Sequence, residues 1–158
     1  MPPDGTFDGA PLTGIYDPKT FQPREAAGFF IARARKTYIL ALEQELAPYD
    51  ISSSQWAIIL NLADGNASTA GDLCKLMRYD PGGMTRLIDR LEKKGFLRRV
   101  RTPDDRRSIQ LELTASGKAL RPKIIHAQVR VLNRLLEGFT QKEVKQLQDL
   151  LGRMSANG

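Results

Sequence analysis

Apolar residues recur at helical spacing in two consecutive short segments near the middle of the chain. Both follow the i, i+3, i+4, i+7 pattern that places side chains on one face of a helix. The apolar residues of the first segment are Ala70, Leu73, Cys74 and Met77, and those of the second are Met84, Leu87, Ile88 and Leu91. Thr69 with Asp72 is suited to cap the first helix, and Asp80 followed by Pro81 is suited to begin the second. The pattern predicts two helices joined by a short turn.

A β-hairpin is predicted directly after these helices. Gly95 ends the second helix, residues 96–101 favour a strand, and residues 109–113 alternate between apolar and polar. The intervening residues 102–108 are predicted to form a charged loop, too long for a tight turn. We therefore expect a winged helix-turn-helix, in which the hairpin is the wing.

The polar face of the second helix suits the major groove of DNA. The pair Gly82 and Gly83 lowers helix stability, so we interpret it as room for close backbone approach. Thr85 is able to bond a base edge, and Arg86 is able to form a forked pair of hydrogen bonds to O6 and N7 of guanine. An arginine at the wing tip suits an A·T-rich minor groove, with Asp105 orienting Arg107. The residues predicted to contact DNA are Gly82, Gly83, Thr85, Arg86, Arg90, Lys93, Arg99, Asp105, Arg106 and Arg107.

This region resembles the MarR family of bacterial transcriptional regulators. The resemblance rests on DPGGMTRLIDRLEKKGFLRR at 80–99, DRRS at 105–108 and LELT at 111–114. It implies a homodimer held by helices from both chain ends, with one winged helix per subunit on DNA. It also implies control by a small ligand, often a phenolic or aromatic acid, and support of minor-groove contact by Asp105 and Arg107. The chain departs from the family at Gly82 and Gly83, where Ser or Thr is frequent.

The flanking segments predict a mainly α fold with a small β-hairpin wing, a winged helix-turn-helix flanked by dimerisation helices. Further helical patterns cover 24–47, 52–63, 115–138 with a bend at Pro122, and 140–154. Their apolar stripes exceed what one small domain needs, which favours burial against a second copy. The expected organisation is an extended arm at 1–23, a dimerisation helix at 24–50, the DNA-binding lobe at 51–114 and C-terminal dimerisation helices at 115–158. The arm, rich in proline and glycine, is either a flexible tail or a segment lying across the other subunit.

Charge and composition narrow the functional classes. The net charge of +6 favours a polyanionic partner, here a double-stranded operator. We find no long apolar run or signal peptide, which predicts a cytoplasmic protein without a membrane partner. One histidine, one cysteine and no glycine-rich phosphate loop predict no enzyme, no metal and no cofactor.

Several single residues have two interpretations. Cys74 is either a core residue or a redox switch, and Trp56 is either core or part of an aromatic ligand pocket. The tentative ligand-binding residues are Arg33, Tyr38, Trp56 and His126. The predicted function is a homodimeric repressor, released from a pseudo-palindromic operator by a small aromatic acid. The alternatives are redox control through Cys74 or a winged helix used as a protein-interaction module.

Overall fold

The computed structural model of the protein describes residues 14–102 and 105–157, and the side chains of these except 102 and 105–108. Its helices and strands, in chain order, are α1 (Ala27–Leu46), a 3-10 turn (Ala47–Tyr49), α2 (Ser53–Ala63), α3 (Ala70–Met77), α4 (Pro81–Lys93), β1 (Leu97–Thr102), β2 (Asp105–Leu113), α5 (Ala115–Leu135) and α6 (Gln141–Ala156). The predicted fold class, mainly α with a β-hairpin, is confirmed. Most of the predicted arm, residues 1–13, lies outside the described residues.

Local side-chain chemistry sets the helix starts, as the sequence predicts. Capping boxes with both hydrogen bonds formed begin α2 at Ser52, α3 at Thr69 and α6 at Thr140. The amide of Gly83 donates to Oδ1 of Asp80 at 2.7 Å, which caps α4. Each cap satisfies amide groups that the first helical turn leaves without a partner.

A single hydrophobic core lies within residues 38–157. Helix α2 packs against α5, and α3 packs against α4, with β1 and β2 beside them. The largest fully buried side chains are Leu42, Leu46, Ile58, Ile59, Leu73, Met84, Ile88, Leu91, Leu97, Ile124 and Val131. Cys74 is half-buried and packs against this core, as a small apolar residue does. Helix α5 continues across Pro122.

The wing differs from the prediction at its tip. Strands β1 and β2 pair in regular register from Leu97 with Leu113 to Arg101 with Ile109, and Thr102 pairs with Asp105 after a register irregularity. The prediction of a loop is therefore wrong for residues 102 and 105–108, which belong to the strands, because strand formation needs backbone groups and not burial of charged side chains. A further contact was not predicted: the amide of Leu111 donates to the carbonyl of Ser68 at 2.8 Å, which ties β2 to the start of α3.

Residues 14–37 form a separate unit. The amide of Ala27 donates to the hydroxyl of Tyr16 at 2.9 Å, so a tyrosine eleven residues away caps the start of α1. The rings of Tyr16 and Phe21 meet edge to face with centroids 5.5 Å apart. The interpretation of the arm as a tail or as an intersubunit segment stays open. Among the described residues, no helix is both long and apolar enough to cross a membrane.

Candidate nucleic-acid interface

Helix α4 has one buried face and one exposed face. Met84, Leu87, Ile88 and Leu91 are buried and anchor the helix to the core. Thr85, Arg86, Arg90 and Lys93 are exposed on the other face. The helix is therefore held firmly from behind while a line of polar and cationic groups faces outward.

The cations on this face are available to a partner. Within the described residues, Arg86, Arg90 and Lys93 form no ion pair. The hydroxyl of Thr85 donates to the carbonyl of Pro81 at 2.8 Å, so its methyl group and its oxygen lone pairs remain accessible. A row of uncompensated positive charges beside a threonine fits a groove lined by phosphates.

The two glycines at the start of α4 have different surroundings. A Cβ on Gly82 would meet nothing closer than 3.4 Å, so an exposed, open position remains there. Gly83 is buried, and a Cβ on it would lie 2.7 Å from Cε1 of Tyr79 and 2.6 Å from Oδ2 of Asp80. The contact of Gly83 with DNA stays a prediction, but the packing of Tyr79 and Asp80 gives a second reason for a small residue at this position.

Arg99 has a structural role that the sequence analysis missed. Its guanidinium bonds Oδ1 of Asp89 at 2.6 Å and also bonds the carboxylate of Glu92. Burial would lower the pKa of Arg99, but hydrogen bonds and charge from these two carboxylates raise it above its ordinary value. The geometry therefore favours Arg99 as a link between α4 and β1 over the predicted phosphate contact, because both ends of its guanidinium are occupied.

The wing residues predicted to enter the minor groove are Asp105, Arg106 and Arg107. Their backbone belongs to β2, and their side chains lie outside the described residues. The predicted bond from Arg107 to Asp105 therefore stays a prediction.

The four tentative ligand residues differ in their exposure to solvent. Burial raises the pKa of the half-buried Tyr38. Nε1 of Trp56 is buried and has no hydrogen-bond partner among the described residues, whereas Arg33 and His126 are exposed. Trp56 and Tyr38 both pack against the core, which is the simpler of their two interpretations.

A cavity of about 450 Å³ lies elsewhere, between the end of α1, the start of α2 and the last turns of α4. Its lining residues are Glu43, Ala47, Asp50, Ile51, Ser52, Gln55, Arg90 and Lys94. Lys94 pairs with Asp50 at 3.0 Å, and Glu43 accepts a hydrogen bond from the amide of Ser53. Arg90 is then the lining cation without an ion pair among the described residues. None of the four tentative ligand residues lines this cavity.

Comparison with known proteins identifies the family. A model of the MarR family matches residues 49–108. The multiple antibiotic resistance protein MarR of Escherichia coli is 30% identical over 114 residues, covering 72% of this chain and 79% of that protein. The chain belongs to the MarR family. The transcriptional regulator PecS of Dickeya dadantii is 37% identical over 117 residues, covering 72% of this chain and 70% of that regulator.

The fold of this MarR family protein matches a solved protein–DNA complex. The crystal structure of a mutant MarR from E. coli with operator DNA has a TM-score of 0.74 and 27% identity, covering 80% of this chain and 91% of that one. The protein is a DNA-binding transcriptional regulator, and its relatives are regulators, not enzymes. No cluster of potential metal ligands occurs within the described ranges.

Proposed function

We propose that this protein is a homodimeric repressor of the cytoplasm that reads a pseudo-palindromic operator. The exposed face of α4 carries this proposal, because Thr85, Arg86 and Lys93 are exposed on a helix whose opposite face is buried. Arg86 reads a base edge in the major groove, and Lys93 contacts a phosphate. Arg106 and Arg107 of the wing reach the neighbouring minor groove. Bound dimer represses by occupying a promoter.

The exposed apolar surface supports the dimer. Helix α6 buries none of its residues, and it exposes an apolar stripe that continues from Phe139. The stripe consists of Phe139, Leu147, Leu150, Leu151 and Met154, each at least 40% exposed. So large an apolar stripe favours an interface between protein chains. A two-fold dimer then presents two α4 helices to half-sites about one helical turn, roughly 34–36 Å, apart.

Ligand control fits the cavity beside α4 better than the residues first considered. Arg90 lines the cavity and also lies on the exposed face of α4. A small aromatic carboxylate in the cavity pairs with Arg90 and thereby withdraws its charge from DNA. Such a ligand binds the free dimer more tightly than the DNA-bound dimer, so it releases the operator.

Fluorescence anisotropy on DNA from upstream of the protein's own gene tests this function. We expect tight binding to this fragment and weak binding to a scrambled duplex, at both about 50 and about 200 mM salt. Arg86→Ala should abolish the preference, since a base contact is lost. Lys93→Gln should weaken both duplexes alike and reduce the salt slope by about one unit. Equal, salt-sensitive binding of the unmodified protein to both duplexes would contradict sequence-specific regulation.

Benzoate, the simplest aromatic acid, serves as the probe for ligand control. We expect it to weaken operator binding in the unmodified protein. Lys123→Gln, which removes an exposed cation of α5, should keep the response, whereas Arg90→Gln should remove it. An unchanged benzoate response in Arg90→Gln would exclude this cavity as the regulatory site.

A further inference from the structure

The turn between α3 and α4 contains an unusual backbone conformation. Arg78 ends α3 with φ of 49° and ψ of 49°, which is the left-handed region. Glycine or asparagine is usual at such a position, because a Cβ is unfavourable there. The amide of Tyr79 then donates to the carbonyl of Cys74 at 3.0 Å, so the turn is closed by a backbone hydrogen bond. Arg78 is thus held in this conformation despite its side chain.

The ring of Tyr79 occupies the space that a side chain at Gly83 would need. Cε1 and Cδ1 of the ring would lie 2.7 and 3.2 Å from a Cβ at that position. A serine or threonine, frequent in the family at this pair, would displace the ring. Gly83 therefore leaves room for the ring of Tyr79, and the first turn of α4 fixes the position of that ring.

Both side chains keep their polar ends free. Arg78 is exposed, and 37% of Tyr79 is exposed. Among the described residues, the guanidinium of Arg78 has no ion pair and the hydroxyl of Tyr79 has no hydrogen bond. Asp80, the next residue, carries a carboxylate, but that group caps α4 through the amide of Gly83. The turn therefore presents one cation and one neutral hydroxyl directly before α4.

We infer that Arg78 and Tyr79 form a phosphate clamp on the operator backbone beside the groove that α4 enters. The inference rests on the proposed placement of α4 in the major groove. Backbone contacts of this kind fix the register of a recognition helix without reading sequence. Arg78 supplies a charge-assisted bond, and Tyr79 supplies a hydroxyl donor whose position is set by Gly83.

Two substitutions separate binding from folding. Arg78→Gly relieves the left-handed backbone, so thermal stability should stay equal or rise while DNA binding weakens about tenfold on operator and scrambled duplexes alike. Its salt slope should fall by about one unit, because one counterion fewer is released. Tyr79→Phe keeps the ring on Gly83 and should weaken binding about threefold with an unchanged salt slope, since a hydroxyl carries no charge.

Control variants remove a tyrosine hydroxyl and a cationic group at positions away from α4. Tyr49→Phe and Lys123→Gln act on a stacked pair whose ammonium lies 4.9 Å from the ring centroid, and both should bind DNA normally. Unchanged DNA affinity in Arg78→Gly or in Tyr79→Phe would overturn the role of that residue. Unchanged affinity in both variants would overturn the clamp. If Arg86→Ala retains full sequence preference, the placement of α4 itself fails. If Arg86→Ala loses that preference while Arg78→Gly and Tyr79→Phe bind DNA with unchanged affinity, only the clamp fails.

Discussion

At the scale of single residues, Gly117 shows how strongly one contact constrains the chain. A Cβ there would lie 1.9 Å from the carbonyl oxygen of Phe96 and 3.2 Å from Cδ2 of Leu113. The same carbonyl accepts the amide of Thr114 at 3.1 Å, so it cannot move without disturbing the start of α5. Backbone, not a flexible side chain, opposes any larger residue. Gly117 therefore sets how closely α5 approaches the base of the wing.

We predict that Gly117→Ala lowers the free energy of unfolding by about 3 kcal/mol, at the upper end of typical overpacking costs. Urea denaturation at fixed protein concentration measures it. Gly71→Ala is the matched control, because its Cβ would meet only Oγ1 of Thr69 at an ordinary 3.7 Å. That variant should be as stable as the parent or slightly more so, through its higher helix propensity. Equal stability of the two variants would show that the Phe96 carbonyl yields easily.

At the scale of elements, two capping carboxylates make helix starts sensitive to acid. Hydrogen bonds from Ser68 and Thr69 lower the pKa of Asp72 at the start of α3. Bonds from Thr140 lower the pKa of Glu143 at the start of α6 in the same way. In both cases the folded state favours the charged carboxylate, and the unfolded state takes up a proton first as pH falls.

We predict that the stabilisation from these two caps is complete above about pH 5 and is lost as pH falls through about 4 toward the lowered folded-state pKa values. Asp72→Asn and Glu143→Gln keep an oxygen acceptor but cannot titrate. Their free energies of unfolding should differ from that of the parent at about pH 6, and the difference should shrink steadily as pH falls below about 4. A constant difference across this range would show that the caps do not contribute to the acid response.

At the scale of the whole molecule, the proposed dimer depends on the exposed apolar stripe on α6. Leu150 is 51% exposed and Met154 is 53% exposed, whereas Gln148 lies on the same helix outside the stripe. We predict that Leu150→Glu shifts the protein to monomer, because dimer formation would bury an unpaired carboxylate. Gln148→Glu introduces the same charge outside the stripe and should leave the dimer intact. Sedimentation velocity distinguishes the two.

Loss of the dimer should also change DNA binding. A Leu150→Glu monomer is expected to bind a single half-site weakly and to lose the strong preference for a two-half-site operator, since only one α4 is presented. Retention of dimer mass in this variant would place the interface elsewhere on the molecule.

Periodicity and capping by themselves determined where most helices of this protein begin and which face of α4 is buried. The starts of α2, α3, α4 and α6 and the buried face of α4 are confirmed, because helix spacing and caps depend on residues within one turn of each other. The motif at 80–99 was equally local, and it was sufficient to predict the family.

Only the tertiary structure decided the roles that depend on contacts between separate elements. Arg99 forms ion pairs with Asp89 and Glu92. The ring of Tyr79 packs against Gly83, and Arg90 lines a cavity. The tertiary structure also extended the wing strands through a charged segment that was predicted to be a loop. Each of these outcomes depends on a contact that packing or strand pairing creates between separate segments. The spacing of hydrophobic residues along the chain does not specify which side chains will come into contact.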